Sequence, residues 1–375
     1  MSSRAGVVQT WSDDRRPASR RGVLTVALVF LAVLWTAGLA GMSAAEQLLA
    51  WDVRFAYLPA ADAILAGDSP YPALDDPILE EQKGYVYPPQ VVVAFLPLAW
   101  LPVDVAALLA AIGLVALVVL TLRALDVEDV RCYAAAFLWM PTTSGILLGN
   151  VSLALALALA LAWRWRDDAR RAGAALGIAV SAKLLLWPLL VWTAATRRVR
   201  ATATAVAAGV AVTAAAWAAI GFAGLVDYPD LLRRLSDIQA ENSYSFVGVA
   251  ATLGLGETVG HAVVLGVGAA LLAGCVSFAR RGDDVRSFTC AVAATLALSP
   301  IVWLHYLVLL LVPLAIARPR FSPLWLLPVL LWTSPRPGYS EGVQVFPPAI
   351  VGAILVVLLL RGGRRARGAA GAAVA

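Results

Sequence analysis

Few residues of this 375-residue chain could do acid–base or electrostatic chemistry, and those few stand out against apolar surroundings. Asp52 opens a segment in which Trp51, Phe55, Leu58 and Leu65 recur at roughly helical spacing, with Asp52, Asp62 and Asp68 interrupting the apolar side. A carboxylate there can take a proton from a hydroxyl as a general base, or it can simply cap the helix. Lys183 lies inside an apolar run, and a lysine at the centre of a bilayer costs about 2.5–3.5 kcal/mol on insertion scales. Such a cation either faces a bound anion or snorkels to the interface. His305 follows Pro300 and Trp303 at an expected helix end, where it is either a satisfied interfacial residue or a substrate contact. His261, the other histidine, begins an apolar helix without polar company and reads as structural.

Asn150 and Asn242 can cap helices or line turns, Tyr87-Pro88-Pro89 makes a rigid entry to a membrane helix, and Arg233 is an external cation that could substitute for Lys183. Cys132, Cys275 and Cys290 all sit in apolar runs and act as small hydrophobes, so no disulfide, zinc site or redox role is expected. The external loops have no tight Asp-x-Asp or histidine cluster, so the chemistry is expected to need neither a metal nor another cofactor.

The elements that position these residues are membrane helices. Hydrophobic residues make up 61% of the chain, charged residues 14%, and the mean hydropathy is +0.80. The net charge of +5 comes from short basic clusters between apolar runs, which fits membrane topology and not a nucleic-acid-binding stripe. Crossings fit the runs 23–42, 103–122, 203–222, 262–278, 287–302, 306–316, 323–333 and 348–360. Two further runs read as hairpins, 132–163 broken near Gly149-Asn150 and 172–195 broken near Lys183, and 91–100 is a partial or kinked helix between prolines. The expectation is an all-α polytopic transmembrane protein of about 12 membrane segments, including short hairpins and an external interfacial helix. Its single membrane domain spans 23–360, with external loops 45–87 and 223–260 and basic cytoplasmic tails at 1–22 and 361–375.

This arrangement puts 23 of the 29 basic residues in cytoplasmic segments, as the positive-inside rule requires. Arg54, Lys83, Arg233, Arg234 and Arg336 fall outside, and Lys183 lies in the second hairpin. Acidic residues lean the other way, with eight between Glu46 and Glu81 and five between Asp227 and Glu257. Both termini are then cytoplasmic, and both hairpin tips and both long loops point outward. Asp52, Tyr87, Asn150, Lys183, Asn242 and the 299–305 segment therefore share one face.

With Asp52, Tyr57, Ala60, Gly67, Pro70 and Tyr71, then Tyr87-Pro88-Pro89, Pro97-Leu98 and Leu101-Pro102, the sequence resembles glycosyltransferase family 87. The resemblance continues through Gly149-Asn150, Lys183 with Pro188, Asn242-Ser243, Ser299-Pro300, Trp303 and His305, in the family's order over residues 50–310. Asn150 stands where the family often has glutamine, and the gap from Lys183 to Pro188 is wider than its usual Lys-x-x-Pro. The resemblance implies a GT-C-like fold, an external active site and an inverting transfer of a sugar, mannose above others, from a polyprenyl-phosphate donor. The acceptor would be a lipid-linked or cell-envelope glycan, and Asp52 matches the family's general base. Lys183, His305, Tyr87, Asn150, Asn242 and Arg233 are the expected contacts to donor phosphate or substrate. The partners would be that donor, a glycolipid or glycan acceptor and membrane lipids, with no nucleic acid.

The competing reading is a secondary transporter or flippase for a lipid or lipid-linked sugar. Transporters usually hold charged sites near the midplane on broken helices of internal repeats. No clear repeat is visible here, and the polar residues cluster at outer helix ends.

Overall fold

The computed structural model describes residues 20–333 and 342–362. It is 76% helical, with no strand among the described residues. The terminal tails beyond these limits and Arg336 lie outside the described residues.

Four helices are long and apolar enough to cross a membrane: α1 (Arg20–Ala45), α5 (Val103–Ala124), α11 (Val199–Ala219) and α14 (Glu257–Arg280). A fifth crossing is available if α7 (Met140–Leu148) and α8 (Ser152–Arg164), bent by 120° at their junction, count as one broken span. The remaining helices are shorter. After α1 come a five-residue π-helical turn, Val53–Tyr57, and α2 (Leu58–Ala66), then α3 (Pro89–Val93) and α4 (Leu96–Ala99). The next is α6 (Val130–Leu138), and α9 (Ala169–Ala182) and α10 (Pro188–Ala195) make the second hairpin. The 223–260 segment holds α12 (Tyr228–Gln239) and α13 (Phe246–Thr252), and α15 (Asp284–Ala297), α16 (Leu311–Ala317) and α17 (Phe346–Gly362) complete the bundle. A 3-10 stretch, Leu304–Leu310, precedes α16.

Both expected breaks fall at hairpin tips. Gly149 ends α7 with a left-handed φ of 72°, a conformation glycine takes without a steric penalty. Lys183 ends α9 in extended backbone, and Pro188 restarts the helix as α10, where a missing backbone N–H leaves no bond unmade. Prolines likewise open α3 and interrupt 91–100, which splits into two short turns and does not span.

Half-buried Asp284 ties the basic ends together by accepting from both Arg198 guanidinium nitrogens at 3.1 and 2.7 Å and from Trp192 Nε1 at 2.7 Å. These bonds join α10, α11 and α15 at the end where α11 begins.

The tightest helix pair is α9 against α11. A Cβ on Gly177 would stand 2.5 Å from the Ala205 carbonyl oxygen and 2.9 Å from the Ala208 Cβ; one on Gly173 would stand 2.7 Å from the Ala201 carbonyl oxygen. Two glycines four residues apart let the backbones approach, the usual way membrane helices gain packing contact without a hydrophobic drive. The same substitution should therefore have opposite effects at two sites. Gly177→Ala overpacks this contact at a cost of about 1–3 kcal/mol. Gly266→Ala, on α14 with nothing within 4 Å, gains helix stability of about 0.5–1 kcal/mol. Thermal unfolding in detergent should show a lower Tm for the first and an equal or higher Tm for the second; equal shifts would refute the contact.

A polar cavity at the hairpin tips

Asp52 lies seven residues beyond the end of α1, just before the π-helical turn, and that turn is fastened on two sides. Arg54 donates from Nε to the Leu49 carbonyl at 2.8 Å and from Nη2 to Asp104 at 2.7 Å, and the Ala50 N–H reaches the Leu147 carbonyl at 2.7 Å. The last bond brings the first hairpin alongside. Gly149 is required there twice over, because a Cβ would also meet Val53 Cγ2 at 2.8 Å and Ala50 Cβ at 3.0 Å. The close approach sets Asn150 beside Asp52.

Asn150 Nδ2 donates to Asp52 Oδ2 at 2.6 Å and to the Tyr87 hydroxyl at 3.0 Å. Its Oδ1 accepts from the Ser152 N–H at 3.0 Å and the Ser152 hydroxyl at 2.8 Å. Because a backbone N–H can only donate, these bonds fix which end of the carboxamide faces the carboxylate. The Tyr57 hydroxyl adds a longer contact to Oδ2 at 3.4 Å, and Oδ1 carries no hydrogen bond. Burial pushes the Asp52 carboxyl up to about 6, while the Asn150 bond, the Lys183 charge and Tyr57 each pull it down.

The 85–92 segment is held by phenols. Tyr71 donates to the Tyr87 carbonyl at 3.1 Å, Tyr228 to the Val86 carbonyl at 3.1 Å and Tyr85 to the Pro88 carbonyl at 2.6 Å. Gln90 Nε2 then donates to the carbonyl of Ser181, just before Lys183, so this segment joins the two hairpin tips.

Lys183 Nζ is buried without a hydrogen-bond partner and packs 3.4 Å from the Tyr306 ring centroid and 5.2 Å from that of Tyr87. Buried His305, in the 3-10 stretch before α16, stacks edge-on against Tyr306 at 4.9 Å, and its Nε2 is also unpartnered. Asp52, Tyr87, Asn150, Lys183 and His305 all line one cavity of about 1330 Å³. Its floor and sides include Ser144, Trp217 and Trp303, and its outer rim includes Trp51, Glu81, Gln82 and Lys83. On one flank the wall is apolar and open, since lining residues Leu184, Val206 and Val210 are 70%, 49% and 64% exposed.

Two expected contacts are not brought in. Arg233 is exposed and pairs with Asp230, because α12 is amphipathic and turns Leu232, Leu235 and Gln239 toward the cavity instead. Asn242 is also exposed, beyond the end of α12, with only a 3.5 Å contact to the Ile238 carbonyl. Asn150 joins the cavity as expected, but its bonds run to Asp52 and Tyr87 and so give it a positioning place. Ser144 and Tyr306 went unnoticed in the sequence, since a serine and a tyrosine inside apolar helices carry no pattern of their own. Among the described residues, no group of three or more His, Cys, Asp or Glu could hold a metal ion.

Residues 85–302, more than half of the chain, match the model of glycosyltransferase family 87. The chain belongs to that family. It is thus a membrane glycosyltransferase, which the long apolar helices suit. No curated protein and no solved structure matches the chain. The family 87 match covers Tyr87, Asn150 and Lys183 but begins after Asp52 and ends before His305. Those two join the family 87 segment through geometry: Asp52 by its bond to Asn150, and His305 by the shared cavity and by α7, where a Cβ on Gly145 would stand 3.7 Å from His305 Cβ.

The Asn150 bond should be measurable on the carboxylate. Infrared titration, with Asp52→Asn as the subtraction, should place the Asp52 midpoint near pH 6. In Asn150→Leu the loss of a bond to the ionised form should raise it further. A midpoint in the ordinary range of about 4 would refute the buried, singly bonded carboxylate.

Proposed function

We propose that the protein transfers a sugar, mannose in the first instance, from a polyprenyl-phosphate donor to a lipid-linked or cell-envelope glycan acceptor, with inversion at the anomeric carbon. The observation that carries this reading is one cavity holding a free carboxylate oxygen and an unpartnered ammonium, open along an apolar flank. Asp52 takes the proton from the acceptor hydroxyl as that oxygen attacks the anomeric carbon. The bond to the phosphate breaks on the opposite face, and Lys183 and His305 stabilise the charge that gathers on the departing phosphate. A lipid phosphate is a weak base and needs little protonation to leave, so a single carboxylate suffices.

The charge balance supports a donor with one phosphate. Lys183 is the one permanent cation among the lining residues nearest Asp52, and Lys83 at the rim is already paired with Glu81 at 2.8 Å. A diphosphate would bring a second negative charge with no cation to meet it. The open flank beside Leu184, Val206 and Val210 suits the donor's hydrocarbon tail. Tyr87 and Asn150 serve as positioning groups, holding Asp52 and shaping the wall opposite Lys183.

We place this site on the external face, a reading that the charge pattern supports. Helix α1 begins among arginines and reaches the cavity in its last turn, through Ser43, while α11 also begins among arginines and lines the cavity from Ala205 to Trp217. In intact cells, a cysteine at position 75 or 237 should therefore react with an impermeant thiol reagent. Labelling only after permeabilisation would reverse the topology.

Activity is tested by incubating the purified protein with labelled polyprenyl-phosphate sugars and a membrane lipid extract. Asp52→Asn keeps the shape and cannot accept the proton, so transfer should fall by about 10²–10⁴-fold with the fold intact. For the wild type the rate should rise with pH through about 6, as Asp52 ionises, and level off above it. A variant keeping more than about a tenth of the rate, or a flat profile across that range, would remove Asp52 as the base.

A further inference from the structure

We propose that Ser144 is a third hydrogen-bond donor to the substrate phosphate, beside Lys183 and His305; this rests on the lipid-phosphate reading above. Ser144 sits on α7, is 1% exposed, lines the cavity, and its Oγ has no hydrogen-bond partner. Thr142 on the same helix is also buried and unpartnered among the described residues, but only Ser144 of the two lines the cavity. A hydroxyl within a helix has a ready acceptor in the carbonyl one turn back, and Thr121, Thr289 and Thr295 all use it, at 2.7, 2.8 and 3.1 Å. Ser144 forgoes that bond, so a buried donor is left unpaired in a region without bulk water, which is unfavourable unless a ligand completes it.

The location identifies the ligand's chemistry. A Cβ on neighbouring Gly145 would stand 3.7 Å from His305 Cβ, so α7 passes directly beside the histidine turn. Three elements thus each present one unpartnered buried polar atom to the same cavity: Oγ of Ser144, Nζ of Lys183 and Nε2 of His305. An ammonium, a hydroxyl and an imidazole N–H can all donate. A group able to accept from three directions and carrying negative charge is a phosphate, and hydrogen bonds to such an anion are stronger than neutral ones. The sugar's hydroxyls would not call for a cation.

The prediction separates binding from folding. Ser144→Ala removes an orphaned hydroxyl, so the unliganded Tm should stay the same or rise. Affinity for polyprenyl phosphate should fall about 10- to 100-fold, the worth of one hydrogen bond to a charged group. Ser144→Thr keeps the hydroxyl and should recover part of that loss. The parent polyprenol, which lacks the phosphate, should bind wild type and Ser144→Ala alike, and inorganic phosphate should bind far more weakly than the lipid. Lys183→Met serves as the comparator and should lose most phosphate-dependent affinity. Unchanged polyprenyl phosphate affinity in Ser144→Ala, with Lys183→Met impaired, would overturn the serine's role and leave the donor reading standing. A lower Tm with unchanged affinity would make Ser144 a packing residue. Inorganic phosphate binding as tightly as the lipid would overturn the lipid source, and no binding of polyprenyl phosphate by the wild type would overturn both.

Discussion

A carboxylate removed from water stays ionisable near neutrality only if something inside the protein bonds to its charged form, and for Asp52 that is chiefly the Asn150 amide at 2.6 Å. Much of the fold serves this one contact. Asn150 is oriented because its other end accepts from the first turn of α8. It is close because Gly149 lets the hairpin tip press onto Ala50 and Val53. It is held from the third side by the Tyr87 hydroxyl, whose own backbone carbonyl accepts from Tyr71. Removing any of these supports would leave the carboxylate more deeply desolvated and less able to ionise.

The two sides of the cavity are built on opposite principles. Around Asp52 the polar groups are bonded to one another and fixed before any substrate arrives, which suits a base whose proton acceptor must point in one direction. Around Lys183 the polar groups bond to nothing but aromatic faces. Tyr306 and Tyr87 offset part of the desolvation of the ammonium through their ring electrons, yet they leave all three of its N–H bonds unused. Charge stabilisation by such donors is strongest where they need not reorganise, and aromatic packing keeps them in place without satisfying them.

The sequence made the main architecture legible because its signals are physical constraints of the bilayer. Long apolar runs, arginines at one end of each span and Gly-Asn or Lys at the hairpin tips led to the helical architecture, and five of the seven chosen side chains line one cavity. What escaped followed from rotation about helix axes. Arg233 and Leu232 are neighbours in sequence and about 100° apart around α12, and packing against the 79–84 loop settles that Leu232 and not Arg233 lines the cavity. Asn150 looked like a substrate contact because the amide's orientation depends on Ser152, a local bond that no hydropathy pattern reveals. The glycine pair of α9 was likewise invisible as a contact, since its partner surface on α11 lies some 28 residues further along the chain.

The open flank between Leu184 and α11 has a consequence for how the site fills. With α11 spanning the membrane, Val206 and Val210 face hydrocarbon, and so does the gap they border. A gap that faces hydrocarbon admits the chains of ordinary lipids as readily as the tail of a substrate. Occupancy is then a competition set by mole fraction in the plane of the bilayer, and not by concentration in a volume of water. For the proposed polyprenyl donor the headgroup decides that contest, because its tail is matched by every neighbour in the membrane. Diluting the bilayer with inert lipid would starve the site at a constant amount of donor per millilitre.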